Sequence, residues 1–260
     1  MERETALRGV RSSPVSVAGV LVAVALMLLP GAASAQSAAP QPGGWQFQLT
    51  PYLWLAGVSG RVGLGIGSGA PVEAKFSSLF SNLKMGLMAE FEGRSGRWGF
   101  LFDGMYIKLG ATSPLESPYV DATLDEEQQI YQLSGMYRVN GGEVPVDLVL
   151  GAREFYLNTT LTLTGPVGLG KSVSKSWVDA IVGTRVLVPL SERLRLVGYG
   201  DVGTGGSNVA WQAIASLGYD FSKTISGKFG YRYLSIDYET KGFLYDMAQA
   251  GFFLGVGIAF

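Results

Sequence analysis

Residues 249–260 read QAGFFLGVGIAF, carry no charge and alternate with a period of two. Ala250, Phe252, Leu254, Val256, Ile258 and Phe260 form an apolar set, while Gly251, Phe253, Gly255, Gly257 and Ala259 form a mostly small one. Such a period belongs to a β-strand with one oily face and one small face. A water-soluble domain seldom ends on a strand like this, because chain ends usually lie at the solvated surface. A closed barrel in lipid accommodates it, since the last strand then pairs with the first and no polar edge remains.

The other end of the chain points to the same compartment. Arg3, Arg8 and Arg11 precede an apolar run over residues 15–29, Pro30-Gly31 interrupts that run, and Ala33-Ser34-Ala35 follows as a small-x-small site. The run is shorter than the ~20 residues a bilayer helix requires. The pattern predicts a secretory signal peptide over residues 1–35, cleaved after Ala35. Residues 36–44 (QSAAPQPGG) read as a flexible lead-in, and residues 45–260 as the barrel.

Without the first 35 residues the chain carries 17 basic and 19 acidic groups, a balance that speaks against nucleic acid as a partner. With no cysteine there is no disulfide framework and no thiolate chemistry. The mean hydropathy is +0.24, yet no second long apolar segment occurs. Hydrophobicity spread over alternating strands, with 37 glycines for turns and 30 aromatic residues for interfacial belts, accounts for both facts.

Ten strand-like segments open near Trp45, Lys84, Trp98, Glu127, Val144, Ser176, Leu194, Val209, Ile225 and Tyr245. Short turns (Gly93-Arg94-Ser95-Gly96, Asn140-Gly141-Gly142, Pro189-Leu190-Ser191-Glu192, Asp220-Phe221-Ser222-Lys223) alternate with longer connections over residues 61–83, 110–126 and 164–175. The predicted fold is therefore all-β: a transmembrane, antiparallel, up-and-down barrel of about ten strands with both termini periplasmic. Eight strands is the alternative count, and a soluble β-sandwich the alternative fold.

Strand parity separates an outer from an inner face. Trp98, Phe100, Phe102, Tyr106, Tyr131, Leu133, Tyr137, Val182, Val186, Val188, Phe229, Tyr231 and Tyr233 fall outward. The inward set gathers the cations Lys84, Arg138, Arg153, Arg185, Arg195, Lys228 and Arg232 against the anions Glu90, Glu92, Asp103, Asp147, Asp179 and Asp201. Unpaired buried charge is costly, so a narrow lumen holding both signs is expected to contain a salt-bridged network. Trp54 and Trp177 share the inward parity, whereas Trp45, Trp98 and Trp211 suit interfacial belts.

Several runs carry a resemblance. They are Pro51-Tyr52-Leu53-Trp54, then Gly96-Arg97-Trp98 with Asp103 and Tyr106, then Trp177 and Asp179 ahead of Gly183 and Arg185. The second half adds Gly200-Asp201-Val202-Gly203, Trp211-Gln212, Gly218-Tyr219, Gly230-Tyr231-Arg232-Tyr233-Leu234, Asp237-Tyr238 and Tyr245-Asp246-Met247. With these, residues 45–260 resemble a group of uncharacterised Gram-negative outer-membrane β-barrel proteins. The resemblance implies an outer-membrane location, and it implies that Phe260 belongs to the signal read by the outer-membrane assembly machinery. Outer-membrane lipid and lipopolysaccharide are the implied surroundings. Gly251-Phe252 departs from the group, which carries glycine-proline there.

Motifs that suggest chemistry read differently in context. Residues 165–172 (GPVGLGKS) match a phosphate-binding loop, but that loop works only between a buried strand and a helix, and both flanks here are strand-like. Histidine is absent, so no Ser–His or Asp–His pair can form. Glu90 and Glu92 share a face and are capable of acid–base work, yet arginines surround them. Asp121, Asp125, Glu126 and Glu127 form an acidic cluster expected in an external loop, where divalent ions have oxygens to bind. The expectation is a non-enzymatic barrel without cofactor or metal. Its lumen is either a narrow passive conduit or a binding barrel for small solutes, or else is closed by salt bridges around a structural or surface-interaction role.

Overall fold

The computed structural model describes residues 44–64, 69–114, 121–140, 142–164 and 169–260. The expected signal peptide and most of the expected lead-in lie outside these residues. Eleven strands appear in chain order: β1 Gln46–Leu64, β2 Ala70–Ala74, β3 Leu83–Ser95, β4 Trp98–Pro114, β5 Asp121–Arg138, β6 Val146–Thr164, β7 Leu169–Pro189, β8 Leu194–Gly205, β9 Val209–Asp220, β10 Ile225–Thr240 and β11 Phe243–Ala259. A short helix, α1 (Phe76–Ser81), follows β2.

Ten of the strands close an antiparallel barrel in sequence order, with β11 returning to β1. The closing seam runs from Gln48↔Ala259 to Leu64↔Phe243. Its last link is reciprocal: Phe47 N–H donates to the Phe260 carbonyl at 3.2 Å, and Phe260 N–H donates to the Phe47 carbonyl at 3.0 Å. The final strand is thereby paired along both edges, with β10 and with β1, as a lipid setting demands. The eleventh strand, β2, is not a barrel stave. It forms a hairpin on the far end of β1 (Val58↔Ala74 to Val62↔Ala70), and α1 then leads the chain back to β3.

Two connections expected as long loops are largely strand. β4 and β5 pair without interruption from Trp98↔Tyr137 to Pro114↔Asp121, and β6 and β7 pair up to Leu163↔Leu169. A membrane-crossing strand needs about 9–11 residues, whereas β7 has 21. These hairpins therefore stand well beyond the apolar band, and a Ser/Thr ladder lines their outer side (Thr112–Thr123 at 3.1 Å, Thr160–Ser172 at 3.1 Å). Hydroxyls and β-branched side chains suit a pleated surface in water, so a stretch that is loop-like in composition pairs as strand.

The phosphate-loop pattern dissolves for the same reason. Gly170, Lys171 and Ser172 sit inside β7, with no helix after them, while residues 165–168 lie outside the described residues. The acidic cluster is also on a strand, β5. Asp125 ion-pairs with Lys84, and successive residues point to opposite faces. Among the described residues no group of three or more acidic side chains converges as a metal site would require. Glu126 faces inward and is half-buried.

Lys84 itself is displaced from the inward set. The register slips between Leu83 and Met85, so a bulge turns Lys84 outward to lie across Gly110.

The two faces of β11 have opposite jobs. Phe252, Leu254 and Val256 are exposed on the outside beside Phe229 and Tyr231, with the Phe229 and Phe252 rings stacked 5.6 Å apart. Gly251 faces inward, where the Trp54 indole N–H donates to its carbonyl at 3.2 Å. A Cβ on Gly251 would stand 2.1 Å from the Leu55 carbonyl oxygen, so backbone has to move for any side chain there. Gly251→Val should destabilise the barrel by roughly 1–3 kcal/mol, as overpacking of a filled interior does. A lowered temperature for loss of heat-modifiable migration on gels checks this, whereas Ala250→Val on the lipid face should leave it unchanged.

Candidate functional site

The lumen is divided along its length. Toward the far end, away from the chain termini, an apolar and aromatic plug fills it. Phe155 stacks on Trp177 (5.2 Å between ring centroids), and Trp177 stacks on Tyr238 of β10 at 3.9 Å. Because β7 and β10 are three staves apart, that stack spans the bore. Met105, Ile130, Leu234 and Ile236 pack around it, all essentially inaccessible. Trp54 and Trp177, alone among the tryptophans, belong to this plug.

Below the plug lies a hydrogen-bonded layer. Arg153, 0% exposed, donates through Nη2 to Asp201 Oδ2 at 2.5 Å and through Nε and Nη2 to Gln132 Oε1. Tyr199 and Gln212 also donate to Asp201 Oδ2, at 2.5 and 2.7 Å. Beside it, the Tyr52 hydroxyl donates to Asp103 Oδ1 at 2.6 Å, and Arg232 Nη1 donates to Asp103 Oδ2 at 2.8 Å. The Arg232 guanidinium lies 4.9 Å from the Trp54 ring, a cation–π contact that ties this layer to the plug.

A second charged layer follows toward the termini. Asp147, 0% exposed, accepts from Arg94 (2.7 Å), Arg138 (2.9 Å) and Arg185 (3.0 Å). Arg185 also grips Glu92 with two parallel bonds of 2.8 Å. Lys228 donates to both oxygens of Glu90 at 3.0 Å. Strand parity explains the convergence: Glu90, Glu92 and Arg94 alternate along the inner side of β3, and Asp147 and Arg185 are register partners on β6 and β7.

Of the thirteen inward charges expected from the sequence, Glu90, Glu92, Asp103, Arg138, Asp147, Arg153, Arg185, Asp201, Lys228 and Arg232 all engage an oppositely charged partner inside the bore. Asp179 does something else. Its Oδ1 accepts from the backbone N–H groups of Gly206 and Ser207 at 2.9 and 2.8 Å, and its Oδ2 accepts from the Ser207 hydroxyl at 2.5 Å. It pins the β8–β9 turn at the far rim instead of joining the ion network.

Sequence reasoning passed over Arg94, which looked like a turn residue, and Asp220, which pairs with Arg195 at 2.6 Å at the near rim. It also passed over the uncharged members Tyr52, Tyr199 and Gln212. Parity with Glu90 and Glu92 was the available signal for Arg94. The neutral residues carry none, because a Gln in a strand looks alike whether it bonds water or a buried arginine.

Between the charged layer and the near end is a cavity of about 740 Å³. Arg94, Arg138, Arg185, Glu90, Glu92 and Lys228 form one part of its wall and Leu101, Leu187, Val197 and Ile214 an apolar part, with Gln212 at the deep end and Ser216 beside Val197. Arg193, Lys223 and Glu192 stand on the turns at its mouth. Gln212 Oε1 and Ser216 Oγ are buried and without a partner, as are Arg153 Nη1, Asp201 Oδ1 and Arg232 Nε close by. At the rim outside this mouth, Phe260 is 70% exposed and its ring packs 6.1 Å from Phe47 and 6.4 Å from Phe91.

The fold is shared with solved outer-membrane barrels. The outer-membrane protease OmpT of Escherichia coli superposes with a TM-score of 0.55 at 8% identity, covering 86% of this chain and 99% of that one. Ail, the attachment invasion locus protein of Yersinia pestis, solved with the heparin analogue sucrose octasulfate, gives 0.38 at 17% identity over 84% and 99%. The translocator domain of the autotransporter NalP from Neisseria meningitidis gives 0.39 at 12% over 93% and 96%. No protein-family model matches the sequence, and no curated protein does. At these identities the likeness concerns the fold, that of an outer-membrane β-barrel.

Ion pairs buried in the lumen and those at the open rim differ in what they contribute. Removing one partner of a buried pair strands the other charge and costs about 3–5 kcal/mol, whereas a solvent-accessible pair contributes at most about 1 kcal/mol. Asp147→Ala should therefore lower unfolding free energy in lipid vesicles by roughly the former amount. Arg195→Ala, at the open rim, should lower it by no more than the latter. Urea titrations followed by tryptophan fluorescence compare the two, and equal effects would contradict the layering.

Proposed function

We propose that this protein resides in the bacterial outer membrane as a non-enzymatic barrel that binds small solutes in a one-ended cup and conducts nothing. Residues 1–35 are its export signal, residues 36–44 a lead-in, and the near end with its short turns faces the periplasm, the usual orientation of an even-stranded barrel. The observation that carries this reading is the plug: Phe155, Trp177 and Tyr238 span the bore while a 740 Å³ cavity opens at the other end. Between them Arg153 and Arg232 are sealed from solvent, so no water path passes the arginines. The volume falls in the range of about 300–1,000 Å³ typical of small-molecule sites.

Two features favour binding over catalysis. The carboxylates Glu90, Glu92, Asp103 and Asp220 on the cavity wall are each held by a cation, which leaves none of them free as a base. The chain also has no histidine to replace them. A surface-interaction role stands beside this reading at the far end, where the tall β4–β7 hairpins present their hydroxyl-lined side at the level of lipopolysaccharide.

Two measurements test the proposal. Folded, heat-modifiable protein in planar bilayers should show no discrete conductance steps, and unit steps would overturn the closed lumen. Phe260 is proposed as the part of the last strand that the assembly machinery reads, its ring presented outside the closing backbone pair. Deleting it should cut the amount recovered in the outer-membrane fraction severalfold; an unchanged amount would count against both that role and the location.

A further inference from the structure

We infer that the cup is a carboxylate site: it takes a small amphiphilic monoanion, with the carboxylate on Arg138 and the apolar part along Leu101, Val197 and Ile214. This rests on the reading of the lumen as a one-ended binding cup. The first observation is charge. Among the described residues, Lys228 is matched by Glu90, Arg195 by Asp220, Arg232 by Asp103 and Arg153 by Asp201. The remaining inner cluster is not matched, because Arg94, Arg138 and Arg185 face only Asp147 and Glu92. One positive charge is left over at the cavity wall, in a setting where uncompensated charge is expensive.

The second observation is geometry. Arg94 and Arg185 both spend their donors on Glu92 and Asp147, but Arg138 uses only Nε and Nη2, and its Nη1 donates to no described residue. Arg94 and Arg138 both line the cavity. A guanidinium edge presents two parallel N–H groups that fit a carboxylate. A phosphate monoester carries about −1.5 to −2 at neutral pH, more than the single surplus charge. Arg193 and Lys223 at the mouth are solvent-exposed and opposed by Glu192, so they add attraction for an anion without defining its seat.

The third observation is the lining. Apolar side chains share the cavity with the ionic wall, and Gln212 Oε1 at the deep end and Ser216 Oγ beside Val197 are buried without partners. Buried polar atoms in native structures are seldom left so. The same cavity thus offers a charged seat, a greasy flank and a polar terminus, a combination suited to a short-chain carboxylic acid bearing a hydroxyl or amide at its far end.

The test is calorimetric titration of the barrel in lipid nanodiscs, with empty nanodiscs subtracted. The probes are hexanoate, its neutral isostere hexanamide, 6-hydroxyhexanoate and inorganic phosphate. Hexanoate should bind at least about tenfold more tightly than hexanamide, a difference of one charge-assisted contact. 6-Hydroxyhexanoate should match or exceed it, and phosphate should bind more weakly. Arg138→Gln should remove the preference for carboxylate over amide. Should that variant fail to fold, Ile214→Trp, which narrows the apolar flank without touching a charge, should weaken hexanoate severalfold. Equal binding of hexanoate and hexanamide, or tighter binding of phosphate, overturns the carboxylate assignment and leaves the cup standing. If no probe binds at all, both this inference and the binding reading fall.

Discussion

The closure of β11 onto β1 is the constraint on which the rest of this molecule depends. In hydrocarbon an unpaired N–H or C=O costs several kcal/mol, so a membrane-spanning sheet must have no edge. The reciprocal Phe47–Phe260 pair and the register from Gln48↔Ala259 onward supply that closure. Once the sheet is closed, its alternation has only two destinations, lipid and lumen. Every inward residue must then be reconciled with the others across a bore barely wider than side chains fill.

That reconciliation takes two forms. Near the far end the inward side chains are apolar or aromatic and stack face to face, and water is excluded even from the Trp177 indole N–H, which is buried without a partner. In the other half they are charged, and each charge is admitted because a partner of opposite sign is built into a nearby strand. Asp147 shows how tightly these requirements interlock, since three guanidinium groups from β3, β5 and β7 converge on one carboxylate. Glycines make the crossing possible: where Trp54 bonds to the Gly251 carbonyl, the facing strand has no room for a side chain. The cup is what remains where the side chains shorten and do not meet. The result is a barrel packed shut toward one end and chemically mixed at the other.

Much of the architecture is legible in the chain. The ten staves, their order, the lipid-facing set and the inward acids and bases follow from a period of two, because parity is a strictly local consequence of strand geometry. The errors are equally physical. Residues 121–127 and 169–175 look like loop by composition, but hydroxyl-rich strands pair as well above a membrane as within it. Lys84 has inward parity until a bulge consumes one residue and reverses it. Asp179 has the right parity for the ion network yet caps a turn, because the β8–β9 hairpin ends level with it.

By itself, the sequence determined that this chain makes a closed barrel, which side chains meet lipid, and that charges of both signs enter the lumen. These are properties of single strands and of composition, fixed by alternation and by the cost of leaving backbone unpaired. Only the tertiary structure decided that the bore is blocked on one side and hollow on the other, and that three arginines share two carboxylates. Those facts depend on which side chains from distant staves meet across the lumen. The distance from Trp177 to Tyr238, or from Arg185 to Glu92, is set by register and curvature summed around the whole barrel, and no local pattern encodes that sum.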